Sequence, residues 1–112
     1  MPDREQTRLQ HMLDAALKAR QFTAGRTRAD LDSDEMLMLS LTRLLEILGE
    51  AAKAVPDDIK QQRSDIPWQQ ISGTRNRLIH GYYHVDLDIV WAIVTQDLPP
   101  LIEALQELLS ER

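Results

Sequence analysis

The stretch Leu37–Val55, LMLSLTRLLEILGEAAKAV, decides the fold class of this chain. Its apolar residues recur in alternating steps of four and three along one stripe, namely Leu37, Leu41, Leu44, Leu48, Ala51 or Ala52, and Val55. This period is typical of an α-helix that packs lengthwise against other helices. Met38 and Leu45 widen the stripe. The sequence therefore predicts a bundle helix with more than one neighbour.

Sequence signals also predict where this helix begins, ends and meets its neighbours. Asp32 or Ser33 offers an N-cap, and Pro56 ends the helix because its ring cannot continue it. Gly49 lies in the middle, where glycine costs about 1 kcal/mol relative to alanine. We expect a close crossing by another helix, or a short gap between side chains, to compensate for this cost.

Amphipathic spacing predicts a first helix over residues 4–20 and a last helix after Asp86, which can serve as its N-cap. The stripe of the last helix consists of Leu87, Trp91, Val94, Leu98, Leu101, Leu105 and Leu108. This stripe keeps its phase through Pro99 and Pro100. We therefore expect two nearly coaxial segments joined by a kink, and not a turn back.

A further long helix is predicted from Trp68 to about Gly81, after a short turn of helix within residues 57–63. Gly81 suits a left-handed C-cap for this helix. No part of the chain shows the alternation of a β-strand. The predicted fold is all-α, an up-and-down bundle of four main helices plus one short helix, in a single domain over residues 1–112.

The composition limits the classes of function. The 112 residues include no cysteine, which removes disulfides and cysteine-ligated metals from consideration. No run approaches the roughly 18 apolar residues of a membrane span, so we expect a cytoplasmic protein with no membrane segment. The formal charge of −5 argues against sequence-independent coating of nucleic acid, whose affinity comes mainly from cations. Any contact with RNA should therefore be local or built by assembly.

The stretch that carries the most chemistry is Ile71–Asp86, ISGTRNRLIHGYYHVD. On a continuous helix, Arg75 falls in the middle of the apolar arc, whereas Thr74 is predicted to point away from it. A helix folded only for stability would carry leucine or alanine at position 75, because burying an unpaired guanidinium is costly. Arg75 therefore marks a candidate site, and Asn76 and His80 share the adjacent flank of the helix.

Structural interpretations of the same residues remain open. Arg75 could pair with a buried carboxylate such as Glu46 or Glu50 of the second helix. Asn76 and His80 could form no more than a hydrogen-bonded pair at a helix end. A metal pair of His80 and His84 is not predicted, because a glycine interrupts the helix between them and no third ligand is fixed by spacing.

These side chains also suit a chemical reaction that needs neither a metal nor a cofactor. RNA carries its own nucleophile, the 2′-hydroxyl, so its cleavage needs only a base, an acid and cationic stabilisation of the phosphorane. Histidine titrates in the right range for either proton role, and the arginine fork matches phosphate oxygens. One histidine cannot easily serve as base and acid at once. A two-fold dimer would supply two.

The order Arg75-Asn76 followed by His80-Gly81-Tyr82 resembles the R-x4-H-x-Y motif of the HepT family. HepT proteins are HEPN-domain ribonucleases and form the toxin half of the HepT/MntA toxin–antitoxin pair. Further similar strings extend the resemblance over most of the chain, namely Gly49-Glu50-Ala51, Val85-Asp86, Val90-Trp91 and Asp97-Leu98-Pro99. One departure is a second tyrosine, Tyr83, directly after the motif tyrosine.

The resemblance implies a HEPN-like bundle that is a metal-independent RNA endonuclease without a cofactor, and it points toward tRNA as a target. It implies that Arg75, Asn76 and His80 are catalytic in the cleft of a homodimer or higher oligomer. It also implies a cognate MntA-like nucleotidyltransferase that transfers AMP to Tyr82, with Tyr83 as a secondary position. The alternative function is a non-catalytic helical partner or nucleotide-binding subunit of such a nucleotidyltransferase.

Overall fold

The structure is a computed structural model and describes residues 4–81 and 84–111. Its elements in chain order are α1 (Arg4–Thr23), α2 (Asp30–Ser33), α3 (Glu35–Lys53), α4 (Asp57–Gln62), α5 (Trp68–Ser72), α6 (Thr74–Leu78), β1 (Ile79–His80), β2 (His84–Val85), α7 (Leu87–Ala92), a π-helical turn (Ile93–Asp97) and α8 (Leu98–Ser110). The predicted all-α class is confirmed, because the strands in the described part of the chain form only a two-stranded sheet of two residues each. None of the helices in these ranges is long and apolar enough to cross a membrane.

The core forms around α1, which packs against both α3 and α8. Fully buried large side chains on these helices are Leu9 and Met12 of α1, Leu41, Leu45 and Leu48 of α3, and Leu98, Leu105 and Leu108 of α8. The stripes predicted for the second and last helices thus face the core. Hydrophobic burial between these helices holds the bundle together.

The expected close crossing at Gly49 is confirmed. A Cβ atom added at this residue would lie 3.1 Å from the carbonyl oxygen of Ile71 on α5 and 3.6 Å from the Cβ atom of Thr74 on α6. The backbone of α5 therefore approaches α3 at a distance that glycine allows and a larger side chain would oppose. This contact fixes the position of α5 and α6, which carry the candidate site.

The start of α3 differs from the prediction. Its N-cap is Asp34, whose carboxylate accepts the N–H of Leu37 at 3.0 Å. Asp32 and Ser33, the predicted caps, belong to α2 instead. The N–H of Asp34 donates to the carbonyl oxygen of Asp30 at 2.8 Å, so α2 closes immediately before α3 begins.

The prediction of one helix over residues 68–81 is wrong, because the helix is interrupted at Gly73 and ends at Leu78. The hydroxyl of Thr74 donates to the carbonyl oxygen of Ile71 at 2.6 Å. In a continuous helix this carbonyl oxygen would accept the backbone N–H of Arg75, and the threonine hydroxyl occupies it instead. The same carbonyl oxygen of Ile71 lies against α3 at Gly49. It therefore takes part in both the packing of α5 on α3 and the hydrogen bond from Thr74.

A β-hairpin follows α6 in place of the last predicted helical turn. Ile79 leaves the helix with φ −111° and ψ 121°, and β1 pairs with β2 in antiparallel orientation. Gly81 has φ +70°, the left-handed conformation expected of it, but it follows β1 and does not cap a helix. The N–H of Asp86 donates to the carbonyl oxygen of Leu78 at 2.7 Å and ties the end of the hairpin to α6.

The last helical run confirms the predicted cap and the absence of a turn back. The carboxylate of Asp86 accepts the N–H groups of Asp88 at 3.1 Å and Ile89 at 3.2 Å. The chain then stays helical to the end of α8, with the π-helical turn between α7 and α8. Pro99 and Pro100 stand at the start of α8. The joint therefore lies just before the prolines, where a wider turn accommodates their missing amide hydrogens.

Candidate active site

Arg75 and Asn76 lie on α6 with exposed side chains. Thr74, which was predicted to point away from the core, is 2% exposed and takes the inward position instead. The predicted burial of Arg75 is therefore wrong. The interruption at Gly73 shifts the helical phase at the start of α6 relative to α5, so a wheel drawn over one continuous helix misplaces Thr74 and Arg75.

The acidic side chains considered as partners of Arg75 are engaged elsewhere. Glu46 lies 3.7 Å from Arg43, and Glu50 lies 3.8 Å from Lys53, all on α3. Among the described residues, no hydrogen bond or ion pair engages the guanidinium of Arg75. Its fork is thus open to solvent, which is the state in which it can bind phosphate oxygens.

His80 ends β1 with 61% of its side chain exposed. Its Nε2 atom lies 3.7 Å from Oδ2 of Asp86, whose other oxygen caps α7. The carboxylate lies on the Nε2 side of the ring at more than hydrogen-bond distance, so Nδ1 is the ring nitrogen left for a substrate. The prediction that Asn76 and His80 share one flank of a helix is wrong, because α6 ends at Leu78 and His80 lies in β1.

Two contacts of His80 differ from what the sequence predicts. The sequence indicates Asp86 as a helix cap and His84 as a candidate metal ligand, and neither as a neighbour of His80 in a hairpin. The hairpin brings both to His80, since His84 is its partner in the strand pair and the two ring centroids are 6.3 Å apart. Ile79 and Val85 on either side of Gly81 were the available signal for a hairpin, because β-branched residues favour strands. Two-residue strands are too short to show alternation.

Tyr82 and Tyr83 lie outside the described residues, so their roles stay predictions. Within the described ranges, no group of three or more histidine, aspartate or glutamate side chains is arranged to hold a metal ion.

A cavity of about 300 Å³ lies beside α6. Its lining includes Thr74 and Arg77 of α6 together with apolar side chains from the core side, whereas Arg75, Asn76 and His80 do not line it. These three side chains therefore lie on an exposed surface outside the cavity. An open site of this kind suits a large substrate better than a small molecule.

Comparison with known proteins relates this fold and motif to a family. Residues 12–108 match the model of the family described as ribonuclease HepT-like. "Probable ribonuclease HepT" of Thermococcus cleftensis is 34% identical over 93 residues, which cover 83% of this chain and 84% of that protein. "Putative RNase TTE0752" of Caldanaerobacter subterraneus subsp. tengcongensis is 32% identical over 103 residues, which cover 92% of each chain. No solved structure matches the chain significantly.

The helical bundle and its exposed arginine and histidine thus occur in a chain related to ribonucleases. The chain belongs to the ribonuclease HepT-like family. The strings that carried the resemblance, from Gly49 to Pro99, all lie within the matched range. The family predicted from sequence is therefore confirmed.

Proposed function

We propose that this protein is a metal-independent RNA endonuclease and acts as the toxin of a toxin–antitoxin pair. One observation carries the proposal: Arg75 on α6 is exposed and has no partner among the described residues, and the exposed His80 on the adjoining strand lies beside Asp86, in a chain of a ribonuclease family. A guanidinium for phosphate and an imidazole for proton transfer are the groups that RNA cleavage needs.

The reaction uses the nucleophile that RNA itself carries. A base removes the proton of the 2′-hydroxyl, the 2′-oxygen attacks the adjacent phosphorus, and the bond from phosphorus to the 5′-oxygen breaks. An acid protonates the leaving 5′-oxygen, so the products are a 2′,3′-cyclic phosphate and a 5′-hydroxyl. His80 transfers protons through Nδ1, Arg75 stabilises the charge on the phosphorane oxygens, and Asn76 donates a hydrogen bond that orients the phosphate.

The exposure of the site supports a polymeric substrate. Arg75, Asn76 and His80 are all exposed, so a phosphate in the middle of a strand can reach them without the chain end entering a pocket. A net charge of −5 means that the rest of the surface attracts RNA weakly. We propose a folded RNA such as tRNA, as the resemblance suggests, since its shape can present one phosphodiester to a local site.

Assembly is part of the proposal. A homodimer that joins two copies of α6 would double the number of arginines and histidines in one groove. It would thereby raise the local positive charge that an acidic chain otherwise lacks. The free guanidinium of Arg75 supports this arrangement, because no acidic side chain among the described residues neutralises it before RNA binds.

Regulation by AMP transfer is proposed for Tyr82, two residues after His80 in the sequence. The tyrosine oxygen attacks the α-phosphorus of ATP, pyrophosphate leaves, and the phenolic proton is released. The catalyst is an MntA-like nucleotidyltransferase, and Tyr83 is the secondary candidate. The product carries a negative phosphodiester close in sequence to His80, which would repel an RNA phosphate.

Incubation of RNA with the protein in EDTA, followed by end-group analysis, tests the activity. We expect 2′,3′-cyclic phosphate ends from the parental chain and no cleavage by His80→Ala. The matched control is His11→Ala, which removes another exposed histidine from α1 and should leave the rate unchanged. A parental chain that cleaves no RNA but binds a nucleotidyltransferase tightly would favour the non-catalytic partner instead.

A further inference from the structure

The β-hairpin places two histidines side by side. His80 and His84 are directly opposite in the antiparallel pair, so both side chains leave the same face. Their ring centroids are 6.3 Å apart and their planes make an angle of 38°. Both residues are exposed, so neither imidazole serves to fill the core.

This separation suits one bridging group between the rings. A proton donor and a proton acceptor each work within about 2.6–3.2 Å of the atom that they serve. In an in-line attack the 2′-oxygen and the leaving 5′-oxygen lie on opposite sides of the phosphorus, so a phosphate between the two rings can present one of these oxygens to each ring. The rings are tilted by 38° and therefore do not stack in parallel.

The two imidazoles differ in their surroundings. Asp86 faces Nε2 of His80, whereas no ion pair or hydrogen bond among the described residues engages the His84 side chain. The carboxylate lies on the Nε2 side of His80 and leaves Nδ1 free to accept a proton, the arrangement of a histidine that acts as a base. The described residues place no carboxylate beside the His84 ring, so a phosphate oxygen can approach either of its nitrogens.

We propose that His84 is the general acid of RNA cleavage and acts together with His80 of the same chain. This inference deepens the proposed function and rests on it. His80 takes the proton of the 2′-hydroxyl at Nδ1, while protonated His84 gives its proton to the 5′-oxygen as the bond to phosphorus breaks. Exchange of one proton with water at each ring then restores both imidazoles.

The consequence is that one chain holds a complete acid–base pair. A second copy of His80 across a dimer interface is then not needed as the acid, and dimerisation serves RNA binding. The competing explanation is structural, with His84 acting as a cross-strand neighbour that steadies the hairpin. The two explanations differ in how the rate depends on the leaving group.

Substrates with an activated leaving group separate these explanations. We would use RNA whose scissile 5′-oxygen is replaced by sulfur, because a thiolate leaves without a proton. His84→Gln should slow cleavage of ordinary RNA by about 100-fold or more, the usual contribution of a general acid. The same variant should cleave the thio substrate within a few-fold of the parental rate. His80→Gln should lose both activities, because both substrates need the base.

The control variant is His11→Gln on α1, which should match the parental rates on both substrates. Thermal unfolding checks that each variant is folded, and His84→Asn provides a second substitution at the same exposed position. An unchanged rate of His84→Gln on ordinary RNA would overturn the inference, and so would an equal loss on the two substrates. A parental chain that cleaves neither substrate would contradict the proposed function itself.

Discussion

Asp86 connects His80 to the start of α7, since its Oδ2 atom lies 3.7 Å from Nε2 of His80 while Oδ1 caps the helix. The carboxylate of Asp86 thus caps the N-terminus of α7 and also lies beside the imidazole of His80, to which we assign proton transfer. Asparagine caps a helix as well as aspartate does. The cap and the charge can therefore be separated by substitution.

We predict that Asp86→Asn keeps the stability of the protein and lowers kcat for RNA cleavage, because the cap remains and the carboxylate facing His80 is lost. Asp86→Ala should lose activity and also about 1 kcal/mol of stability, the usual effect of removing an N-cap. Urea unfolding and initial cleavage rates measure the two effects. Asp34→Ala is the matched control, because it removes the cap of α3 and should lower stability without lowering kcat. Parental kcat in Asp86→Asn would refute the orienting role.

Arg75→Ala and His80→Ala should both abolish RNA cleavage and cellular toxicity without unfolding the protein. Both side chains are exposed, and substitutions at such positions change stability by about 0.5 kcal/mol or less. Arg75→Lys should restore only part of the activity, because lysine keeps the charge and loses the fork. Arg43→Ala, at an exposed arginine of α3, should cleave at the parental rate. Toxicity that persists in His80→Ala would show that proton transfer lies elsewhere.

A symmetric dimer should be present at micromolar concentration, with both copies of α6 facing one groove. Light scattering measures the mass, and crosslinking between cysteines introduced at position 76 of each copy tests the geometry. Position 76 is exposed, so the substitution should not disturb the core. A monomer with full nuclease activity is the result that would refute the dimer.

Incubation with the cognate nucleotidyltransferase, ATP and Mg²⁺ should add one or more AMP units to a peptide that contains Tyr82. Nuclease activity should fall in parallel, because the added phosphodiester repels RNA. Tyr82→Phe should block the first addition, and mass spectrometry of the peptide measures it. Tyr83→Phe is the control and should be labelled normally. Labelling lost only in Tyr83→Phe would move the site by one residue.

Gly49→Ala should destabilise the protein, although alanine favours a helix by about 1 kcal/mol. The added Cβ would lie 3.1 Å from the backbone oxygen of Ile71, and a backbone atom cannot move aside as a flexible side chain can. Gly73→Ala is the matched control, because its nearest contact would be an ordinary 3.5 Å and its φ is −88°. Thermal unfolding should show a lower Tm for the first variant and an unchanged or higher Tm for the second. Equal Tm values for the two variants would contradict the close crossing.

The sequence by itself determined the class of the fold and most of the helices. The stripes of α3 and of α7 with α8 have the period of one helix face, and burial of that face is the largest favourable term in folding. Asp86 as a cap and Gly49 as a crossing point followed from local rules, because each concerns a helix that the stripe had already defined. Arg75, Asn76 and His80 could also be recognised as candidate site residues, because their spacing can be read directly from the sequence.

Only the tertiary structure decided how those motif residues are presented. The interruption at Gly73 depends on the contact of α5 with α3, and the hairpin depends on a hydrogen bond from Asp86 to Leu78. The first contact joins residues that are distant along the chain, and the second belongs to a hairpin whose two-residue strands are too short to show a period. As a result Arg75 points outward, His80 lies in a strand and not in a helix, and His84 lies opposite it. Backbone hydrogen bonds and packing outweigh a helix propensity of a few tenths of a kcal/mol per residue.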